Sequence, residues 1–301
     1  MAPYDRGRYA ESHLAGGSTL GIIGYRRPEL LATPEWLAEN IARPGFQVLD
    51  ARWRPDGSGR RLYAAGHIPG ATYLDWRADL VEPDENSDLL LLAGPRRVTE
   101  AMSRIGLGNG MIGVLYDDTG NSYAARAWWS LRVYGFDSAR ILMGGLEAWR
   151  ASAQPVSAAL ELRPPTTFTP RMESRQRLSA AEVRDLLGSE DVQLLDARAP
   201  SEYAGHAGTT RRLGHIPGAF NVPAAATTEP RTGRFRPAED LWALLRRAGV
   251  NARRRLICYD ATGLGACKLA FALALIGHQD FAVYDGGWAE WGDRLDLPLA
   301  R

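Results

Sequence analysis

The sequence is poor in cysteine and in histidine, with two cysteines and five histidines among 301 residues. Two cysteines cannot build the disulfide framework of a small secreted domain, and they fit a reducing compartment or indifference to redox state. The sequence also shows no cluster of metal-ligand residues, no phosphate-binding loop and no dinucleotide fingerprint. We therefore expect a cytoplasmic protein that needs no metal and no other cofactor.

Long apolar runs and a strong net charge are absent as well. Apolar runs such as 89–93 are much shorter than the length that spans a bilayer, and the first residues lack the apolar core of a signal peptide. The net charge of +1 creates no long-range field that favours nucleic acid or anionic lipid. We expect a small-molecule substrate or ligand, with no nucleic-acid partner and no membrane. The oligomeric state does not follow from these features.

Four short motifs occur twice, in the same order, in the two halves of the chain. The pairs are Val48–Arg52 with Leu194–Arg198, Gly66–Ala71 with Gly214–Ala219, Tyr116–Gly120 with Tyr259–Gly263, and Gly144–Trp149 with Gly286–Trp291. Such ordered self-similarity indicates domain duplication, with only the loop lengths differing between the copies.

The boundary between the two copies lies in a proline-containing segment. Prolines block helix formation and favour an extended connector. We therefore predict an N-terminal domain over 1–156, a linker over 157–178 and a C-terminal domain over 179–301. A capping-box pattern at Ser179 predicts the first helix of the second domain. Thr33, followed by a proline, predicts the corresponding helix start in the first domain.

Short β-rich runs alternate with helical segments in the second half. The predicted strands Val192–Asp196, Leu256–Tyr259 and Phe281–Tyr284 are separated by helices, which predicts an α/β fold with a mainly parallel sheet flanked by helices in each domain. Ligands of such sheets collect at the carboxyl ends of the strands. Asp260 and Arg198 stand at those ends.

Together, the repeated motifs resemble the rhodanese family, and specifically its two-domain thiosulfate and 3-mercaptopyruvate sulfurtransferases. The doubled Gly-His-Ile-Pro-Gly-Ala motif and the two Gly-Gly-x-x-x-Trp endings carry this resemblance. It implies a silent N-terminal domain and a C-terminal domain whose reactive loop follows the pattern Tyr-Cys-x-x-Gly-x-x-Ala. Here the loop is Tyr259–Ala266, and its tyrosine, glycine and alanine match while Asp260 stands in the cysteine position.

An aspartate at this position changes the chemistry that the resemblance implies. A turn that leads into a helix presents unpaired N–H groups and a positive dipole, which stabilise thiolate and persulfide anions. We expect the same donors to stabilise Asp260 as an anion with a lowered pKa. The carboxylate cannot accept a sulfane sulfur. It would also repel thiosulfate by roughly 4 kcal/mol for unit charges about 4 Å apart at an effective dielectric near 20.

Neither cysteine offers a clear substitute for the missing thiol. Cys258 precedes Tyr259 in a predicted strand, and Cys267 follows Ala266 in a predicted helix. Buried cysteine behaves as a small apolar side chain, so we expect both to be buried and unpaired. A displaced nucleophile at Cys267, close to the helix start, is the alternative.

The resemblance also implies roles for two residues outside the loop. Arg198 matches an arginine that contacts the anionic substrate, and a salt bridge to Glu202 or Asp260 is an equally good interpretation. Trp53 matches a tryptophan by which the N-terminal domain closes over the loop, and plain interdomain packing is the alternative. The predicted catalytic residues are Asp260 and Arg198, and the predicted substrate-binding residues are Trp53, Ala261, Thr262, Gly263, Leu264 and Gly265.

The first-half loop, which begins at Tyr116, also carries an aspartate, Asp117. The second loop is one residue shorter, and Leu264 and Gly265 replace bulkier residues, so we expect its pocket to be more open. Three functions stay open: a sulfurtransferase, an enzyme with altered chemistry at Asp260, and a non-catalytic binding or regulatory module. We favour the enzyme with altered chemistry, because the loop keeps its small residues and a buried carboxylate marks candidate functional sites.

Overall fold

The computed structural model describes residues 24–84 and 89–301. It contains two five-stranded sheets, each with all of its strands parallel and each flanked by helices. This confirms the predicted fold class of two tandem α/β domains.

The first sheet has the strand order β1-β5-β4-β2-β3. Its strands are β1 (Leu31–Ala32), β2 (Phe46–Asp50), β3 (Ala71–Tyr73), β4 (Ile112–Tyr116) and β5 (Ala139–Leu142). The helices of this domain are α1 (Pro34–Asn40), α2 (Gly59–Ala65), α3 (Trp76–Leu80), α4 (Pro95–Arg104), α5 (Ser122–Val133) and α6 (Gly145–Ala151).

The second sheet repeats this order as β6-β10-β9-β7-β8. Its strands are β6 (Arg177–Leu178), β7 (Val192–Asp196), β8 (Phe220–Asn221), β9 (Arg255–Tyr259) and β10 (Phe281–Tyr284). Its helices are α7 (Ala180–Asp185), α8 (Pro200–Tyr203), α9 (Ala238–Arg247), α10 (Leu264–Leu275) and α11 (Gly287–Asp293). The two sheets therefore share one topology, as duplication predicts.

The middle strands of the two sheets, β4 and β9, end at matched places. Tyr116 lies opposite Asp50 of β2, and Tyr259 lies opposite Asp196 of β7. Each middle strand is buried apart from its first residue, as expected for parallel strands covered on both faces. The residue that follows each strand, Asp117 or Asp260, therefore emerges at the carboxyl edge of its sheet.

The predicted helix starts form as hydroxyl caps. The Trp36 amide donates to Thr33 Oγ1 at 3.1 Å. At the start of α7, the Ser179 amide donates to Glu182 Oε2 at 2.8 Å while the Glu182 amide donates to Ser179 Oγ at 3.4 Å. These reciprocal bonds satisfy amides that the helix itself leaves without partners.

The segment predicted as a linker is attached to both domains. Ser157 exchanges backbone hydrogen bonds of 2.8 Å with His67 of the first domain, and Phe168 packs into the core with 2% exposure. At its other end, β6 pairs with β10 of the second sheet. The extended connector that prolines favour is therefore present, but it begins on one domain and ends as a strand of the other.

One hydrophobic cluster spans both domains, and each domain also has a cluster of its own. Helix α5 packs against α10, and Trp128 meets Phe271 edge to face with ring centroids 4.8 Å apart. Every residue of α10 from Ala266 to Leu275 is buried, which is the pattern of a helix enclosed on all sides. Among the described residues, no helix is long and apolar enough to cross a membrane.

Candidate functional site

The candidate site is the loop between β9 and α10. Asp260 leaves the strand, Gly263 turns the chain with φ of 90°, and α10 begins at the next residue. The carboxylate folds back onto the helix start, where the Gly263 amide donates to Oδ1 at 2.5 Å and the Gly265 amide donates to Oδ2 at 2.8 Å. The predicted anion cradle is therefore occupied by the side chain of Asp260 itself.

The helix start of α11 holds the other side of this loop. The Trp288 amide donates to the Asp260 carbonyl at 2.7 Å, and the Ala289 amide donates to the Ala261 carbonyl at 3.0 Å. At Gly287, a Cβ atom would lie 2.5 Å from the Asp260 carbonyl oxygen. The Gly-Gly-x-x-x-Trp motif thus holds the Asp260 loop in place through backbone hydrogen bonds.

Burial dominates the ionisation of Asp260. Loss of solvent raises the pKa of this carboxyl above its ordinary value, and the carboxylate of Asp196 adds to the rise. The amides of Gly265, Gly263 and Ala266 oppose it without overcoming it. The predicted lowering of the Asp260 pKa is therefore wrong, because desolvation of a charged carboxylate outweighs these hydrogen bonds.

The first-domain loop provides an internal comparison. Asp117 Oδ1 accepts hydrogen bonds from the amides of Thr119 and Asn121, both at 2.9 Å, and Oδ2 accepts from Tyr123 at 2.8 Å and Ala124 at 3.0 Å. A carboxylate offers about four lone-pair sites, so this one is fully used as a helix cap. Asp117 is 1% exposed.

Asp260 is less completely enclosed than its first-domain counterpart. It is 8% exposed, and the shorter loop brings fewer amides to its oxygens. A Cβ at Gly265 would lie 2.9 Å from Asp260 Oδ2 and 3.3 Å from Ala224 Cβ, so glycine is needed where the carboxylate approaches the helix. Ala261, Thr262 and Leu264 lie partly exposed around it. A cavity of about 390 Å³ lies beside the first loop, lined by Asp117 and Gly120 among others, so the more open pocket at the second loop stays a prediction.

Arg198 is held by the scaffold of the second domain. Its Nη2 lies 2.6 Å from Asp196 Oδ2 and donates to the Gly214 carbonyl at 2.7 Å, and its guanidinium lies 4.6 Å from the Trp288 ring. The ion-pair partner is thus Asp196, rather than Glu202 or Asp260. The side chain is 2% exposed, and its Nε and Nη2 are engaged by Asp196 and Gly214; the contact of Arg198 with an anionic substrate stays a prediction.

The first domain repeats this arrangement. Arg52 binds Asp50 with an Nη2–Oδ2 distance of 2.5 Å and donates to the Gly66 carbonyl at 2.7 Å. The same Asp-x-Arg pair thus recurs in both domains, where it fixes the turn after the strand. Its presence in both copies does not by itself indicate a substrate.

Trp53 belongs to an aromatic cluster of the first domain. Its ring centroid lies 5.6 Å from that of Trp76 and 5.8 Å from that of Tyr123, and the Arg77 guanidinium lies 6.0 Å from the ring. With Arg77 and Leu90 it lines a cavity of about 430 Å³. These contacts are all within the first domain, so closure of Trp53 over the Asp260 loop stays a prediction.

Both cysteines are buried and unpaired. Burial raises the pKa of the Cys267 thiol to about 12 and raises that of Cys258 even further. Since the thiolate is the reactive form, neither is prepared for nucleophilic attack, and the displaced nucleophile at Cys267 has no support. Within 24–84 and 89–301, no group of three or more His, Cys, Asp or Glu residues could hold a metal ion.

Comparison with known proteins agrees with this duplicated architecture. The family of rhodanese-like domains matches residues 33–152 and again 179–294. The chain belongs to the rhodanese family. Both repeats are thus rhodanese-like domains, and the loop after β9 lies in the second of them.

Curated relatives match the two-domain rhodanese chain over most of their length. The 3-mercaptopyruvate sulfurtransferase of Escherichia coli is 35% identical over 277 residues, which are 88% of this chain and 95% of that protein. The sulfur carrier protein TtuD of Thermus thermophilus is 30% identical over 292 residues, 93% of this chain and 99% of the relative. A crystal structure of the E. coli enzyme SseA superposes with a TM-score of 0.78 at 30% identity, covering 86% of this chain and 98% of that one.

Sequence reasoning missed one residue beside the loop. A Cβ at Gly263 would lie 2.5 Å from Nη1 of Arg126, which comes from α5 of the first domain. The signal was present in the repeat: α5 and α10 have the same length, and Arg126 and Lys268 are each the fifth residue of their helix.

Proposed function

We propose that this rhodanese-family protein carries no sulfane sulfur on its second-domain loop. Asp260 takes the place of the family's sulfur-bearing cysteine and serves instead as a proton-transferring carboxyl toward a small polar or charged molecule. The observation that carries the proposal is the contrast between the matched loops. Asp117 accepts hydrogen bonds from four amides and is 1% exposed, whereas Asp260 accepts from the amides of Gly263 and Gly265 and is 8% exposed; burial raises the pKa of both carboxyls.

The environment of Asp260 suits general acid–base chemistry. A raised pKa moves a carboxyl toward the range in which it both accepts and returns a proton near neutral pH. The amides of Gly263 and Gly265 hold the carboxylate in one orientation after it loses its proton. The partly exposed residues Ala261, Thr262 and Leu264 form the surface on which the molecule would rest.

A sulfurtransferase, as the relatives' names suggest, is the family alternative. It requires a thiolate that accepts sulfur, and the two thiols of this chain are enclosed, with a pKa of about 12 for Cys267. A non-catalytic binding module is favoured by one observation: the loop amides already bind the Asp260 carboxylate, much as the silent loop binds Asp117. These alternatives differ from the proposed function in one respect: neither requires Asp260 to transfer a proton.

The first experiment asks whether sulfur is carried at all. With thiosulfate and cyanide, the unaltered protein should form no thiocyanate above the uncatalysed background, and intact-mass spectrometry should show no persulfide. Asp260→Cys restores a thiol among the same amides, so it should gain a persulfide mass and weak turnover. Asp117→Cys is the matched control, and it should gain neither, because that position is sealed. Turnover or a persulfide in the unaltered protein would refute the proposal.

The second experiment asks whether Asp260 reacts. Small polar compounds are screened by thermal shift, and those that bind are tested for turnover by the unaltered protein and by Asp260→Asn. Loss of a general acid or base typically costs ~10²–10⁴ in rate, so the variant should lose turnover by this factor while its ligand still binds. Ligands that bind but are never turned over would establish the binding module instead.

A further inference from the structure

Two buried cations occupy equivalent positions in the two central helices. Arg126 is the fifth residue of α5 and Lys268 is the fifth residue of α10. Arg126 is 0% exposed and Lys268 is 6% exposed. Because burying a charge is costly unless it has compensating partners, a matched pair of them requires an explanation.

Each cation extends to the loop of the other domain. Nη1 of Arg126 lies 2.5 Å from the position of a Cβ on Gly263, and Nζ of Lys268 lies 3.5 Å from the position of a Cβ on Gly120. Gly120 and Gly263 are the same residue of the repeated loop motif. Across the α5–α10 interface, Arg126 of the first domain therefore reaches the second-domain loop, and Lys268 of the second domain reaches the first-domain loop.

The guanidinium of Arg126 is only partly compensated. Its Nη2 donates to the Leu90 carbonyl at 2.5 Å and lies 3.9 Å from Asp285 Oδ2. Asp285 is itself shared with Arg177 at 3.1 Å and with the Leu92 amide at 2.7 Å. The guanidinium also lies 4.8 Å from the Trp129 ring and interacts with the Cys267 thiol, while Nε and Nη1 have no nitrogen or oxygen hydrogen-bond partner among the described residues. Positive charge therefore remains on the side of the guanidinium that faces Gly263.

Lys268 is placed in the same way beside the first loop. Its Nζ donates to Thr228 Oγ1 at 2.9 Å. Burial lowers the pKa of Lys268 to about 8, while the charge of Asp117 opposes this lowering. The amine therefore keeps its charge below about pH 8, and it interacts with the carboxylate of the opposite domain.

We propose that each domain supplies a side-chain cation to the loop of the other domain. Arg126 of the first domain is a positioning residue for the Asp260 loop, and Lys268 of the second domain is a positioning residue for the Asp117 loop. Each cation packs against the loop glycine and favours the ionised carboxylate that caps the adjacent helix. The first domain, silent by family resemblance, thereby supplies part of the electrostatics of the second-domain site. This inference holds whether or not Asp260 reacts with a substrate.

Other charged groups around each carboxyl set the background for a test. Asp260 is faced by Asp196 from β7 and by the thiols of Cys258 in β9 and Cys267 in α10. Arg126 from α5 lies against Gly263 of the same loop, with Asp285 after β10 beside its guanidinium. Asp117 is faced by Tyr123 from α5 and by Lys268 from α10. Among these, Arg126 and Lys268 are the cations, and each serves one carboxyl.

The test is a crossed titration of the two carboxyls in the full chain. Aspartate labelled with ¹³C at Cγ reports each carboxyl by NMR, and Asp117→Asn and Asp260→Asn assign the two signals. Removing a nearby cation disfavours the carboxylate, so Arg126→Gln should raise the pKa of Asp260 by about 1 unit and leave that of Asp117 unchanged. Lys268→Gln should do the reverse.

Conservative variants keep the test decisive if a charge-removing variant fails to fold. Arg126→Lys and Lys268→Arg retain the charge and should keep both pKa values near those of the unaltered protein. If Arg126→Gln is unfolded, the Lys268→Gln arm alone still predicts a rise confined to Asp117. Unchanged pKa values in Arg126→Gln or Lys268→Gln would overturn the proposal. Equal rises at both carboxyls in one of these variants would also overturn it, since they indicate a general loosening of the interface.

Discussion

Replacing Gly263 by alanine tests the packing between the Asp260 loop and the first domain. Gly263 has φ of 90°, in the left-handed region that favours glycine. An added Cβ would meet Arg126 Nη1 at 2.5 Å and the Asp285 carbonyl oxygen at 3.1 Å. The substitution thus combines a backbone penalty with a collision against two fixed groups.

The two contributions can be separated with a matched control. Gly188 has φ of 81° and would place its Cβ within 4 Å of nothing, so Gly188→Ala isolates the backbone penalty of about 1–2 kcal/mol. Overpacking at Gly263 should add about 1–3 kcal/mol. The smaller conformational freedom of the unfolded alanine chain stabilises both variants equally. We therefore expect Gly263→Ala to lose about 1–3 kcal/mol more of the free energy of unfolding than Gly188→Ala.

Urea denaturation followed by tryptophan fluorescence and far-UV circular dichroism measures this difference. A two-domain chain need not unfold in a single step. The comparison is therefore made only if the two probes report one transition and the slopes of the unfolding free energy with urea match those of the unaltered protein. Equal losses in the two alanine variants would refute the reasoning, because they would mean that Arg126 and Asp285 do not confine Gly263.

Two further predictions concern the scaffold and the carboxyl. Arg198→Met should cost about 3–5 kcal/mol of unfolding free energy, because it leaves buried Asp196 without its ion-pair partner. Arg52→Met should cost a similar amount, since it does the same to Asp50. A change below about 1 kcal/mol in urea titrations would contradict the structural role of these arginines. Burial raises the Asp260 pKa, so the folded state keeps a proton that the unfolded chain has released, and the stability from this group is full below about pH 3.8 and falls as the pH rises through the folded pKa. The difference in unfolding free energy between Asp260→Asn and the unaltered protein should therefore shift in favour of the variant from about pH 4 upward, and a pH-independent difference would contradict the raised pKa.

Much of the fold could be predicted because local pattern and tertiary structure agree. The strands Val192–Asp196 and Phe281–Tyr284 have the predicted bounds, and the predicted strand Leu256–Tyr259 differs from β9 by one residue at its start. The strand β6 was not predicted, since two residues have no periodicity and this strand exists only by pairing with β10. Such elements are decided by the tertiary structure.

The site was only partly predictable for physical reasons. The repeat identified the loop and its carboxylate, but the direction of the Asp260 pKa depends on burial, which no local pattern reveals. Arg198 was assigned by resemblance, and its neighbour two residues earlier, Asp196, binds it first. Arg126 was missed because it is distant from the loop in sequence and reaches it only across the α5–α10 interface.

The enclosure of α10 has a consequence for the history of the chain. A freshly duplicated domain must be able to stand alone, yet here Ala266–Leu275, apolar apart from Lys268, is covered on all sides, partly by Trp128 of the other copy. Either half produced by itself would expose the face that its twin now covers, and such a face promotes aggregation. Each copy therefore depends on the other to keep its central helix out of water, although the loops at the ends of these helices differ.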